Sequence, residues 1–247
     1  MKLYLIRHAQ SANNAVATRD GDEAGRVPDP DITETGHRQA RLLAAHLALP
    51  EGETQQHPLV ETVASSFGIT HLYCSLMTRS VMTAQYVAEA LDLTTVAHPD
   101  IFERGGIYQP GGDGAEEGLP GPGKDYFRER FPELALPESL DEQGWYNRPY
   151  ETEPVFVSRV AKALADIKAR HIDSDDRVAM VVHGDFIDQF VNEVTGVARR
   201  EENYRSHWVA NWAFHNTSIT RIDFVSDAQV IVYVNRLNHI PSALVTW

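Results

Sequence analysis

The sequence predicts an α/β fold: a three-layer α/β/α sandwich around a mixed, mostly parallel sheet, interrupted by one long insertion. Three observations carry this. Apolar runs at 2–6, 71–75 and 177–183 are almost continuous, as strands buried on both faces are. Between them lie longer segments whose apolar residues recur every three or four positions, the mark of helices packing one face onto a sheet. Strands that alternate with helices imply right-handed crossovers and helices on both faces.

Lys2-Leu3-Tyr4-Leu5-Ile6 reads as a buried first strand that gives way to Arg7-His8. Open α/β sheets gather ligands at the carboxyl ends of their strands, so this pair sits on the lip of the sheet. Thr33 is placed to cap a helix over 33–47, with Ala40, Leu43, Ala44 and Leu47 on its inner face. A second strand at 71–75 leads to a helix that Thr78 can cap and that runs to Leu91, with Val81, Met82, Val87 and Leu91 inward. A helix over 155–171 precedes the third apolar run, which ends in His183. The next helix spans 185–195 and stops at Gly196. Two β-rich stretches, 214–224 and 229–237, flank Val225-Ser226-Asp227-Ala228, predicting a hairpin or two edge strands and therefore a mixed sheet.

The insertion covers about 104–154. Its density of Gly and Pro, from Gly105-Gly106 to Pro120-Gly121-Pro122-Gly123, predicts no regular core element there. Residues 100–154 hold thirteen Asp and Glu against five Lys and Arg, and so carry −8 of the chain's net −13. A loop this long within a compact domain is more often functional than idle, so the expectation is a single domain, 1–247, with a cap beside its site. The acidic balance excludes nucleic acid or anionic membrane as the principal partner, since both demand a basic footprint. One cysteine, Cys74, excludes a disulfide framework, and no apolar stretch is long enough for a signal peptide or a membrane span, so a soluble cytoplasmic protein is expected. Tyr204, Trp208 and Trp212 suit either core or an association surface, which leaves a homo-oligomer open.

Arg7, His8, Arg79 and His183 all fall at strand or helix ends. If the strands are parallel, they converge at one edge of the sheet beside helix N-termini. Two guanidinium forks and two imidazoles there suit a tetrahedral dianion, the phosphate of a small phosphorylated substrate. Glu103, between Ile101-Phe102 and the glycine-rich insertion, is the candidate proton donor, since partial burial would raise its pKa. The histidines show no ligand spacing for a metal, and the chemistry calls for no cofactor.

Leu5-Ile6-Arg7-His8-Ala9-Gln10-Ser11 with Asn14 resembles the Arg-His-Gly motif of the histidine phosphatase superfamily, which includes the phosphoglycerate mutases. Ile32-Thr33-Glu34-Thr35-Gly36-His37-Arg38-Gln39-Ala40 is similar to the family's Leu-Thr-x-x-Gly-x-x-Gln-Ala helix. Ser75-Leu76-Met77-Thr78-Arg79 with Thr83-Ala84, Val181-Val182-His183-Gly184, Asn216-Thr217-Ser218-Ile219 and 235–239 resemble its remaining segments. The resemblance implies a phosphoglycerate mutase-like fold and a phosphohistidine intermediate on His8. Arg7, Asn14, Arg79, His183 and the amide of Gly184 would hold the phosphate, and Glu103 would protonate the leaving oxygen. Ala9 replaces the family's glycine. The stretch 20–31 lacks the mutases' Phe-x-Gly-Trp-x-Asp pattern, and Arg104-Gly105-Gly106-Ile107-Tyr108 lacks the tyrosine they carry three residues after the acid. Hydrolysis of a phosphomonoester is therefore the leading expectation, a 2,3-bisphosphoglycerate-dependent mutase the alternative, and a non-catalytic phosphate-binding protein ranks third.

Overall fold

The computed structural model describes residues 1–20, 25–49, 67–112, 115–197, 212–226 and 228–247. Its elements run β1 (Lys2–Arg7), α1 (Ala12–Asp20), α2 (Glu34–Leu47), β2 (His71–Cys74), α3 (Thr78–Leu91), β3 (Thr95–Ala97), β4 (Tyr108–Pro110), β5 (Glu116–Gly118), α4 (Lys124–Arg130), α5 (Glu153–His171), β6 (Arg177–Val182), α6 (Gly184–Thr195), β7 (Ile219–Val225) and β8 (Ala228–Arg236), closed by a short 3-10 turn, Ser242–Leu244. Six strands form one sheet in the order β3-β2-β6-β1-β7-β8, and β4 and β5 pair separately. β3, β2, β6 and β1 are mutually parallel, β7 runs antiparallel to β1, and β8 pairs antiparallel to β7.

The alternation of side chains along the central strands explains why their sequences lack a polar face. On β1, Tyr4 and Ile6 pack with Leu43, Leu47, Val81 and Ala84 of α2 and α3. Leu3 and Leu5 turn the other way, onto Phe156 and Val160 of α5 and Phe186, Ile187 and Phe190 of α6. On β6, Ala179 and Val181 join the first cluster, and Val178, Met180 and Val182 the second. The sheet is thus sandwiched between two helical layers, as the periodicity predicts. The closing stretches form the hairpin β7–β8 at one edge.

Helix ends follow the chemistry of their caps. Thr33 caps α2 as expected, its hydroxyl accepting from Gly36 N at 3.0 Å. Gly196, left-handed at φ 63°, ends α6. Thr78 does not cap α3: it is the helix's first residue, and its amide and hydroxyl both donate to the Asp29 carboxylate. The cap comes from a residue far away in sequence, which local pattern cannot reveal.

The insertion departs from expectation as well. It contains β4, β5 and α4, and it supplies Phe127, Phe131, Leu140, Trp145 and Tyr146 to the core on the α2–α3 side. Its glycines separate short apolar pieces rather than marking a solvated loop. Gly106 shows the reason: its φ of +75° is left-handed, and the Tyr146 ring occupies the space where a Cβ would stand. α1 and the three-residue β3 also have no apolar period to announce them. Tyr204 and Trp208 lie outside the described residues. Trp212 is half-buried, its amide donating to Asp188 and its indole to Asn192. Among the described residues no helix is long and apolar enough to cross a membrane.

The return from the insertion is fastened by a buried ion pair. Arg159 on α5 donates to both oxygens of Glu151, each at 2.7 Å, with both side chains at most 5% exposed. The remaining guanidinium nitrogen donates to the carbonyls of Asp100 and Phe102, each at 2.9 Å. Glu151→Ala would leave a buried cation unpaired, and the expected loss is about 3–5 kcal/mol of unfolding free energy in urea titration.

Candidate active site

Three parallel strands deliver their ends to one place. Because Arg7 pairs with Val182 and Cys74 with Val181, the residues that follow, His8, His183 and Ser75, emerge side by side at the carboxyl edge of the sheet. The turn after β1 is clamped from the 216–218 segment: Arg7 N donates to Ser218 O, Thr217 N to Arg7 O, and Asn216 Nδ2 to His8 O. Thr217 sits at φ +59°, an unusual conformation for a β-branched residue and a mark of local strain at the site.

His8 is buried at 3% exposure, and both of its ring nitrogens are engaged. Nδ1 lies 2.7 Å from the Ala9 carbonyl, which can only accept, so the proton is on Nδ1. Nε2 therefore carries the lone pair, and Arg79 Nε donates to it at 3.1 Å. Burial, then the charges of Arg79 and Arg7, push the His8 pKa well below its ordinary value, so the ring stays neutral.

The His183 ring lies 5.1 Å from that of His8, centroid to centroid. Its Nε2 is 2.7 Å from Ser75 Oγ, which also accepts from Met77 N. The arrangement that satisfies most groups has Ser75 donating to Nε2, leaving a proton on Nδ1. That buried Nδ1 has no partner among the described residues, and neither does Arg7 Nε. Burial, then Arg79 and His8, hold His183 neutral too. Arg7 donates to the Phe214 carbonyl, and Arg79 faces Asp29 at 3.9 Å. Burial lowers the pKa of both arginines.

Glu103 completes the cluster. Its carboxyl accepts from Phe186 N at 3.1 Å and Asp185 N at 3.3 Å, so it caps α6, and from Arg104 N at 3.0 Å. Burial, followed by the charge of Asp185, raises its pKa against the opposing pull of Arg79 and Arg7. Gly184 fills the narrow gap between these groups: a Cβ there would lie 3.5 Å from Arg7 Nε and 3.9 Å from Glu103 Oε2. Asn14 is tied in one step further out. Its Oδ1 accepts from Ser11 N, Ser11 Oγ and Asn216 Nδ2, the amide that also holds His8 O.

All seven residues expected from the sequence are thus joined in one network. The reading missed Asp29, the counter-ion of Arg79, and the roles of Ser75 and Asn216, although both stand within segments that carry the family resemblance. It also missed Arg26, whose guanidinium stacks 4.3 Å from the Tyr108 ring centre and lies within the field of Arg79. Of the insertion's cations, Arg104 stands beside Glu103 and pairs with Asp185 and Glu153, whereas three others are held by different partners. Arg128 pairs with Asp125, Arg130 with Asp31, and Arg148 Nε donates to Tyr146 O. Phe127 and Trp145 are core residues.

Comparison with known proteins bears on the family and the fold. The model of the histidine phosphatase superfamily, branch 1, matches residues 3–50 and 48–237. A Hydrogenobacter thermophilus protein named "Putative phosphoserine phosphatase 2" is 26% identical across 96% of this chain and 97% of its own length. A Yersinia pestis protein named "Probable phosphoglycerate mutase GpmB" is 30% identical over 42% of this chain and 38% of its own. Among solved structures, a phosphoserine phosphatase of Entamoeba histolytica crystallised with phosphoserine shares the fold, with a TM-score of 0.56, 18% identity, and coverage of 97% of this chain and 99% of that one.

Because Asp29 both caps α3 from outside and faces the buried Arg79, Asp29→Ala is expected to cost about 3–5 kcal/mol, the scale of breaking a buried ion pair. Asp29→Asn keeps an acceptor for Thr78 and should cost less; urea denaturation of the two variants distinguishes them.

Proposed function

The chain belongs to the histidine phosphatase superfamily, and from that premise we propose that it hydrolyses a small phosphorylated metabolite through a phosphohistidine on His8. The observation that carries this is the state of His8: Nδ1–H fixed on the Ala9 carbonyl, and the Nε2 lone pair directed at the Arg79 guanidinium. That is where a phosphate bound to Arg79 would offer its phosphorus.

In the first step Nε2 attacks phosphorus in line, the P–O bond to the alcohol breaks, and Glu103 gives its proton to the departing oxygen. Arg7, Arg79 and His183 Nδ1–H neutralise the equatorial oxygens; the unpartnered Arg7 Nε and His183 Nδ1 are the donors this role requires. The Ala9 carbonyl stabilises the positive charge that the imidazole acquires. In the second step ionised Glu103 takes a proton from water, the oxygen attacks phosphorus, and the N–P bond breaks to release phosphate and neutral His8. The two arginines supply the charge that the transition state needs, and no further cofactor enters the cycle. Asn14 and Gly184 serve by keeping the His8 turn and the Arg7–Glu103 gap in place. Residues 104–154 act as a cap within one domain, since Tyr126 OH meets Thr78, the residue before Arg79, at 3.2 Å.

The similarity to a mutase over part of the chain makes bisphosphoglycerate-dependent transfer the second reading. A phosphate-ester panel that includes 3-phosphoglycerate, with and without 2,3-bisphosphoglycerate, separates the two: release of inorganic phosphate supports hydrolysis, and isomerisation that requires the bisphosphate overturns it. His8→Ala is expected to abolish both turnover and acid-labile labelling of the protein; turnover that survives this substitution sinks the phosphohistidine, and no turnover by the wild type on any ester leaves a binding protein.

The pH profile follows from the directions of the two shifts. Glu103 must hold a proton in the first step, and its pKa is raised, so kcat/KM should fall only as pH climbs through that elevated value. His8 must be neutral and its pKa is depressed, so the acid limb should lie well below the usual imidazole range. Glu103→Gln is expected to lower the rate by roughly 10²–10⁴-fold and to erase the alkaline limb, as measured with an ester of poor leaving group.

A further inference from the structure

At the opposite edge of the sheet stands a second cluster, unrelated to the phosphate site. His71 opens β2, His171 closes α5, and Asp176 immediately precedes β6. We propose that these three side chains form a binding site for a divalent transition metal, with Zn2+ the ion their chemistry fits best.

The geometry is close to that of a coordination shell. Asp176 Oδ2 lies 2.8 Å from His171 Nδ1 and Oδ1 lies 3.7 Å from His71 Nδ1, which now rests 2.9 Å from the Thr70 hydroxyl, a contact that an ion would displace. The two rings are 4.7 Å apart, and the three donor atoms all lie within 4.8 Å of one another. Ligands about 2.0 Å from a tetrahedral Zn2+ stand about 3.3 Å from each other, so shifts of well under an ångström or two close the set around an ion. Two neutral imidazoles and one carboxylate are donors that zinc favours, with water free to take the fourth position.

The supporting contacts are of the kind that orient metal ligands. Tyr73 OH lies 3.0 Å from His171 Nε2, which fixes the ring and leaves Nδ1 as the coordinating atom. Ser174 Oγ accepts from Asp176 N and donates to His171 O, holding the 171–176 turn closed. Of the neighbouring cations, Arg170 donates through Nε to Asp166 and also reaches the Tyr73 hydroxyl, and Arg177 donates to the Phe67 carbonyl. His71 is 43% exposed and Asp176 26%, so an ion can reach the cluster from solvent. Bound there, it would join the start of β2, the end of α5 and the start of β6, and the site is independent of the proposed phosphatase chemistry.

The test is titration of chelator-treated protein with ZnCl2 by calorimetry, and with Co2+ by visible absorption. Other histidines of the chain can take zinc, so the readout is the difference between wild type and two variants, His71→Ala and Asp176→Asn. The second keeps a hydrogen-bonding side chain at 176 and guards against a folding defect. Expected are one zinc equivalent and one tetrahedral cobalt band in the wild type that each variant loses or binds at least tenfold more weakly. A melting temperature that rises with Zn2+ only in the wild type, and phosphoester turnover unchanged in His71→Ala, are expected alongside. Equal zinc stoichiometry, affinity and cobalt spectrum in all three proteins would overturn the site.

Discussion

Two guanidinium groups, those of Arg7 and Arg79, are held largely out of water, and the rest of the site is organised around that cost. Withdrawing one ion from solvent costs several kcal/mol even after relaxation. Asp29 faces Arg79 at 3.9 Å, which at the effective dielectric of such sites gives an attraction of about 4 kcal/mol. Burial raises the pKa of Asp29 and of Glu103 alike, opposing the ionised form that each needs in order to offset a cation. The pocket retains a positive surplus in a chain of net charge −13, and a phosphate dianion is the ligand that removes it. Burial first, and then the charge of Arg79, keeps His8 and His183 neutral, so that no third positive charge is added among them.

This electrostatic arrangement depends on the sheet. Parallel pairing of β1 with β6 and of β6 with β2 brings His8, His183 and Ser75 to one level, and full burial of both sheet faces fixes that level against slippage. Glu103 is on no strand and has to be positioned by other means. The buried Arg159 supplies them, since one of its nitrogens holds the carbonyls of Asp100 and Phe102, just ahead of Glu103, while two others hold Glu151. Its guanidinium also stacks 3.5 Å from the centre of the Phe102 ring. Both ends of the insertion are thereby tied to α5, and the candidate acid sits at the knot.

What was legible in the sequence was whatever local pattern encodes. The continuous apolar runs of β1 and β6 record burial on two faces, and Arg7, His8 and His183 stand out because they terminate those runs. Thr33 and Gly196 announce helix ends through their own backbone chemistry. Contacts between distant segments left no such trace. Asp29 looks like one more loop acid until Thr78 and Arg79 are seen beside it. Arg128, Arg130 and Arg148 stand in the insertion as charges without an evident partner in sequence, and only the fold shows each bound to an acid or a carbonyl. The His71, His171 and Asp176 cluster comes from three elements that meet at the sheet's far edge, so no spacing rule could have assembled it. The insertion was misread for a related reason: its Phe127, Trp145 and Tyr146 lie singly among turn residues, and their common burial is a property of tertiary packing.

Glu103 stands under two opposed influences, and the proposed cycle makes use of both. As the cap of α6 it accepts from Asp185 N and Phe186 N, contacts at a helix N-terminus that favour the ionised form. Enclosure and the charge of Asp185 favour the neutral acid. Neither influence alone would serve a two-step reaction, because a fully stabilised carboxylate could not protonate an alkoxide and a fully stabilised acid could not activate water. Their net effect is a raised pKa, with the helix amides still in place to hold the carboxylate once it forms. A phosphate dianion in the pocket tips the balance further toward the acid. Its departing alcohol then takes the proton, and the carboxylate left behind is held by the helix amides until water arrives.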